Sequence, residues 1–110
     1  MPLSEKVRIE LFIPDLPDPI YFNLLERLGD ELAYAFGGCT VVPASRKYHS
    51  ESGLILPDKI NILFTDTAFD WEKDQEVIGR YAAELQDAVS RALKNEEAIL
   101  VAAYEVRHSY

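Results

Sequence analysis

A single cysteine, Cys39, rules out an internal disulfide and favours a reducing compartment. Positive charge is also scarce. Eleven Lys and Arg face nineteen Asp and Glu, giving a net charge of −8 and an isoelectric point near 4.6. Counterion release from nucleic acid needs a clustered excess of cations, so DNA and RNA are poor partners, and anionic membranes are too. No apolar run approaches the ~20 residues of a membrane span. The N-terminal stretch MPLSEKVRIELF lacks the charged start, apolar core and small-residue cleavage site of a signal peptide. A cytoplasmic protein is therefore expected. With two histidines, His49 and His108, a three-His metal site is excluded. Glycine and proline are few and fall at boundaries, and there is no repeat or low-complexity tract. What remains is 110 residues, 48% of them apolar, which is one domain's worth of chain spanning 1–110. Such a chain buries enough surface to fold without a metal or disulfide.

The apolar pattern resolves six elements. Val7, Ile9, Leu11 and Ile13 alternate with Lys6, Arg8, Glu10 and Phe12, the period of a strand over about 6–13. Pro14, Pro17 and Pro19 then end its ladder. A helix over about 19–36 follows, with Asp18 as N-cap, Pro19 in the first turn, an apolar face of Leu24, Leu25, Leu28, Leu32, Ala35 and Phe36, and Gly37-Gly38 as its stop. A second strand runs from about Cys39 to Tyr48, and Pro43 places it at an edge. Residues 49–53 make a turn. A third strand covers about 54–66 with a break near Pro57-Asp58, and Leu63 beside Phe64 suggests a central position. A second helix spans about 70–94, started by Asp70 or a Thr67–Asp70 capping box, its apolar face running from Val77 and Ile78 to Leu85, Val89 and Leu93, with Asn95 as terminator. The last strand occupies about 97–108. The expected core contains Val7, Ile9, Leu11, Leu25, Leu28, Leu32, Ile62, Phe64, Ile78, Leu85, Val89 and Val101.

The order β-α-β-β-α-β, with right-handed crossovers, predicts an α+β, ferredoxin-like (split βαβ) sandwich. Its antiparallel sheet has the order 4-1-3-2, with two helices on one face. The stretch Phe36-Gly37-Gly38-Cys39-Thr40-Val41-Val42-Pro43-Ala44, followed by the aromatic Tyr48, resembles the centre of a family of small uncharacterised bacterial proteins: a helix ending in Gly, a Thr-Val strand, an Ala and an aromatic before a hairpin. The resemblance implies a ferredoxin-like fold and carries no catalytic residues with it.

Two polar groups stand out as sites. Arg46-Lys47-Tyr48-His49 is the only basic cluster in an acidic chain, suited to an anion, though charge on an edge strand also guards against edge-to-edge pairing. In the second group, Tyr104, Val106 and His108 share one strand face, and Glu105 and Arg107 share the other, with Tyr110 beyond. A Tyr–His pair facing a cavity can move protons, and a wet terminal strand is the plainer reading. A ligand is expected between the open sheet face and the 46–53 hairpin, nearest Arg46, Tyr48, His49 and His108. The acids Asp66, Asp70, Glu72, Asp74 and Glu76 lack the glycine and spacing of a calcium loop and read as a helix start complementing its dipole. Cys39 lies beyond a helix C-terminus, the wrong sign to activate a thiol, and reads as a small half-buried apolar residue. No catalytic residue, metal or cofactor is assigned.

The open face of such a sheet calls for a cover, because large apolar patches mark interfaces. The expected function is a non-enzymatic, homodimeric module that binds a small molecule or a protein partner. The alternative is a cofactor-independent small enzyme, an oxygenase or isomerase of the dimeric α+β barrel kind, with Tyr48, His49, Tyr104 and His108 lining its cavity.

Overall fold

The computed structural model describes residues 4–94 and 100–108. Strand β1 (Ser4–Pro14) is followed by helix α1 (Pro19–Phe36), strands β2 (Thr40–His49) and β3 (Ile55–Thr67), helix α2 (Gln75–Ala92) and strand β4 (Val101–His108). The strands form one antiparallel sheet in the order β2-β3-β1-β4, as the element pattern predicts. Both helices cover the face that carries Val7, Ile9, Leu11 and Ile13, which are at most 1% exposed.

Local chemistry accounts for the boundaries of α1. Asp18 Oδ1 accepts the backbone N–H of Ile20 at 3.0 Å, and Pro19 occupies the first turn. Gly37 closes the helix at φ 88°, donating its N–H to Ala33. Helix α2 begins at Gln75, five residues later than a cap at Asp70 predicts. Asp70 Oδ1 caps a turn instead, accepting N–H from Glu72 and Lys73, while Asp74 Oδ2 accepts from Asp70. Short acidic side chains that bind nearby backbone hold the chain in turns. Asn95, residues 97–99 of the last predicted strand and Tyr110 lie outside the described residues.

The clearest departure is in β3. Leu63, Thr65 and Thr67 face the helices, whereas Ile62 and Phe64, expected in the core, are half-buried on the open side. A strand apolar on both faces gives alternation no basis for choosing between them, and a one-residue shift exchanges the faces. The two threonines are accepted in the core because both hydroxyls are bonded, Thr65 to the Gly38 carbonyl at 2.6 Å and Thr67 to the Val7 carbonyl at 2.9 Å. Leu25 and Val101 are partly buried against the core; Leu24, Ile13 and Leu93 join it.

No break interrupts β3 at Pro57. The Lys59 carbonyl accepts from Asp15 N, so by alternation Pro57 turns its missing N–H to the same side, past the end of β1. This also marks where the sheet narrows. The β1–β3 ladder stops at Pro14↔Ile60, while β2 and β3 continue paired from Ser45↔Lys59 to His49↔Ile55. The result is a two-stranded arm closed by a Ser50–Leu54 turn, with Gly53 at φ 87°. It stretches the molecule to 48 × 26 × 24 Å and its radius of gyration to 15.3 Å, against about 13 Å for a compact chain of this length.

Candidate functional site

On the open face, four strands deliver alternate residues to one surface. The register aligns Tyr104 of β4, Arg8 of β1 and Asp66 of β3 in one row, and Ala102, Glu10, Phe64 and Thr40 in the next. Arg8 is held by two parallel bonds to Asp66, Nε to Oδ1 at 2.7 Å and Nη2 to Oδ2 at 3.0 Å. Its guanidinium lies over the Phe64 ring, 4.2 Å from the centroid. Tyr104 donates its hydroxyl to Glu10 Oε2 at 2.6 Å. The network is half-buried, with Arg8 and Asp66 side chains 27% and 26% exposed.

The electrostatics follow from this geometry. Asp66 is held below the ordinary carboxylate range, first by its bond to Arg8, with His108 and Lys6 adding positive potential. Arg8 is held still more firmly in its charged form, chiefly by Asp66. The Tyr104 phenol is pushed up, by burial first and then by the Glu10 carboxylate that prefers it protonated. Arg8 is thus a fixed, planar cation with an aromatic floor, flanked by a protonated phenol and two carboxylates.

The residues expected to form one ligand site are dispersed. Arg46 and Tyr48 lie on the arm, on the open side of the sheet, and Arg46 pairs with Asp58 at 2.6 Å. His49 is on the opposite side of the same strand, against Ile55. His108 lies beside Ser4 at the other edge and the other end of the sheet. Ile55, opposite His49, and Thr67 at the far end of β3 are roughly 40 Å apart at strand spacing, and His108 lies beyond that end. The hollow nearest the arm, about 280 Å³, lies at its root among Pro43, Ala44, Ser45, Lys59 and Ile60, and includes none of the four. Adjacency in sequence put Arg46, Tyr48 and His49 together, and the pleat divides them.

Tyr104 and His108 do share the open face, as alternation implies. Of the network partners, Arg8 and Glu10 are not singled out from sequence, Asp66 is weighed there only as a calcium-loop acid, and Phe64 is placed in the core. The available signal was Arg8 and Glu10 facing away from the apolar stripe of β1, but their partners depend on register. A cleft of about 410 Å³ flanks the network where β2 stops short of β3, between Gly37–Thr40 and Phe64–Asp66. Cys39 lines it, and burial raises its thiol pKa, in keeping with an unreactive side chain. Among the described residues, no three His, Cys, Asp or Glu side chains are grouped to hold a metal. No helix there is long and apolar enough to cross a membrane.

No protein-family model matches the chain, and no curated protein matches it. Among solved structures, CutA from Synechococcus elongatus superposes with a TM-score of 0.50 at 14% identity, over 94% of this chain and 80% of that one. The likeness is one of fold. It supports the small α+β architecture that the 36–48 stretch implied, at that level alone.

Proposed function

We propose that this chain is a self-associating module that binds a small ligand or a protein partner through its open sheet face. The observation that supports this most directly is the ordered network at the centre of that face. Arg8 with Asp66 and Tyr104 with Glu10 are fixed by short bonds, and the Arg8 guanidinium lies over Phe64. Half-buried Phe12 and Ile62 and exposed Val42 form the adjoining row. The apolar row offers area to bury, and the half-buried charge pairs beside it confer specificity more than affinity. Arg46, Tyr48 and His108 lie on the same side but at opposite ends of it, so only a protein partner laid along the face would meet all three, whereas His49 would not take part.

Sedimentation velocity at micromolar concentration tests the self-association. A species heavier than the 12.5 kDa chain is expected, and a clean monomer removes the idea. A thermal-shift screen with small anions and aromatic acids tests the binding. Hits that Arg8→Met abolishes support the open face, and hits indifferent to that change place the ligand elsewhere.

A second reading has one specific observation behind it. The 2.6 Å Tyr104–Glu10 bond joins a phenol of raised pKa to a carboxylate, a pair able to pass a proton in a cofactor-independent enzyme. Consumption of a bound hit by the wild type and not by Tyr104→Phe would favour it. Binding without turnover favours the module.

A further inference from the structure

The two ends of this molecule differ in charge and in what they leave unfinished. At one end is the two-stranded arm. Its residues 44–60 carry three Lys and Arg against two carboxylates, within a chain of net charge −8, so the remainder carries −9. Alternation sorts these charges. Arg46 and Asp58 neutralise each other on the open side. The other side presents Lys47, His49 and Lys59 together with Ile55, 62% exposed; the nearest carboxylates are Glu51 in the turn and Asp15, which shares a hollow with Lys59 at the arm's root. Leu54 at the turn is 61% exposed. Two strands without a third, and without a helix across them, are at best marginally stable in water, so the arm's order calls for a cover.

The opposite end has the complementary chemistry. Where β1 and β4 begin and end, and the 69–72 loop leaves β3, a recess of about 170 Å³ opens among Glu5, Asp70, Glu72 and Glu105, with Trp71 in its wall. Lys6 is the one cation lining it, and Glu5 already meets Arg107 at 3.2 Å. The arm cannot fold back to this recess, since the length of β3 separates them.

We infer that the cationic side of the arm docks on the acidic end of a second copy of this chain, head to tail, with Lys47 and Lys59 facing Glu72 and Glu105 and with Ile55 and Leu54 beside Trp71. The occupant is a second copy because the charges are complementary within one sequence and lie at opposite ends of one rigid sheet. Such a contact is heterologous: one copy gives its arm and the next receives it, and repetition builds a ring or an open chain. The inference rests on the self-association proposed above and names a different surface for it.

The test is sedimentation velocity of the full chain and of two charge-reversed variants, Lys47→Glu/Lys59→Glu and Glu72→Lys/Glu105→Lys, all exposed positions, with circular dichroism to confirm the fold. Each variant alone is expected to associate at least roughly tenfold more weakly than the wild type. Mixed one to one, they should recover association, because each acidic arm then meets a basic recess and each basic arm an acidic one. Rising salt should weaken the wild type. A wild type that is monomeric throughout removes both the self-association and this contact. A wild type that assembles as strongly after either reversal, or a mixture no heavier than its components, overturns the arm contact and leaves the open face as the interface. Should one variant fail to fold, the other with the salt series decides.

Discussion

Arg8 shows how much one residue depends on its neighbours. It lies on a strand that sequence reads as apolar on one face and mixed on the other, and only pairing with β3 supplies Asp66 and Phe64. Because the Asp66 carboxyl is lowered from its ordinary 3.8 in the folded state, it contributes stability above that value. The contribution is lost as pH falls through the depressed value. Thermal melts from about pH 6 down to about pH 2 should therefore show an acid-side loss that Asp66→Asn flattens. Equal slopes for the two proteins would mean that the pair does not exist in solution. Tyr104→Phe should cost about 0.5–1.5 kcal/mol, the ordinary worth of one hydrogen bond. Burial pushes Tyr81 above the usual 10.0 as well, so in ultraviolet titration Tyr104→Phe should remove one of the tyrosines that ionise above it. Gly37 belongs to this scale as well. Its φ of 88° strains any side chain while no neighbour obstructs one, so Gly37→Ala should cost about 1–2 kcal/mol through backbone strain alone.

Among the elements, the helices follow their sequence most closely. Leu28 and Leu85 are 4% exposed in the middle of their apolar stripes, and truncating either to Ala should cost about 2–5 kcal/mol by chemical denaturation. Strand β3 is the element whose orientation needed the whole sheet. Leu63 is fully buried and Ile62 is not. Leu63→Ala should therefore cost about 2–5 kcal/mol and clearly exceed the loss from Ile62→Ala. Reversal of that order would return β3 to the orientation expected from sequence.

For the molecule as a whole, the arm is the distinguishing feature, since the sheet is complete as four strands without it. Replacing residues 45–59 with a two-residue Asn-Gly turn should leave the body folded, its melting temperature changed by only a few degrees. The radius of gyration in small-angle scattering should fall from 15.3 Å toward about 13 Å. Loss of folding on deletion would show instead that the arm is part of the cooperative unit. If the head-to-tail contact forms, the same deletion removes it.

The element order, both helix faces, the Asp18 and Gly37 caps and the edge position of β2 were legible in the chain, because each is set by local periodicity or by the backbone limits of Pro and Gly. The late start of α2 was hidden by acids that suit a helix start and a turn equally well. The candidate site was legible only in part. Alternation put Tyr104 and His108 on one face, but it could not say that Glu10 meets Tyr104 or that Asp66 meets Arg8. Those partners lie 94 and 58 residues apart in the chain. Only tertiary structure decided them, together with the orientation of β3 and the separation of His49 from His108. Register between strands is set by the packing of all four strands and both helices at once, and no single segment carries it.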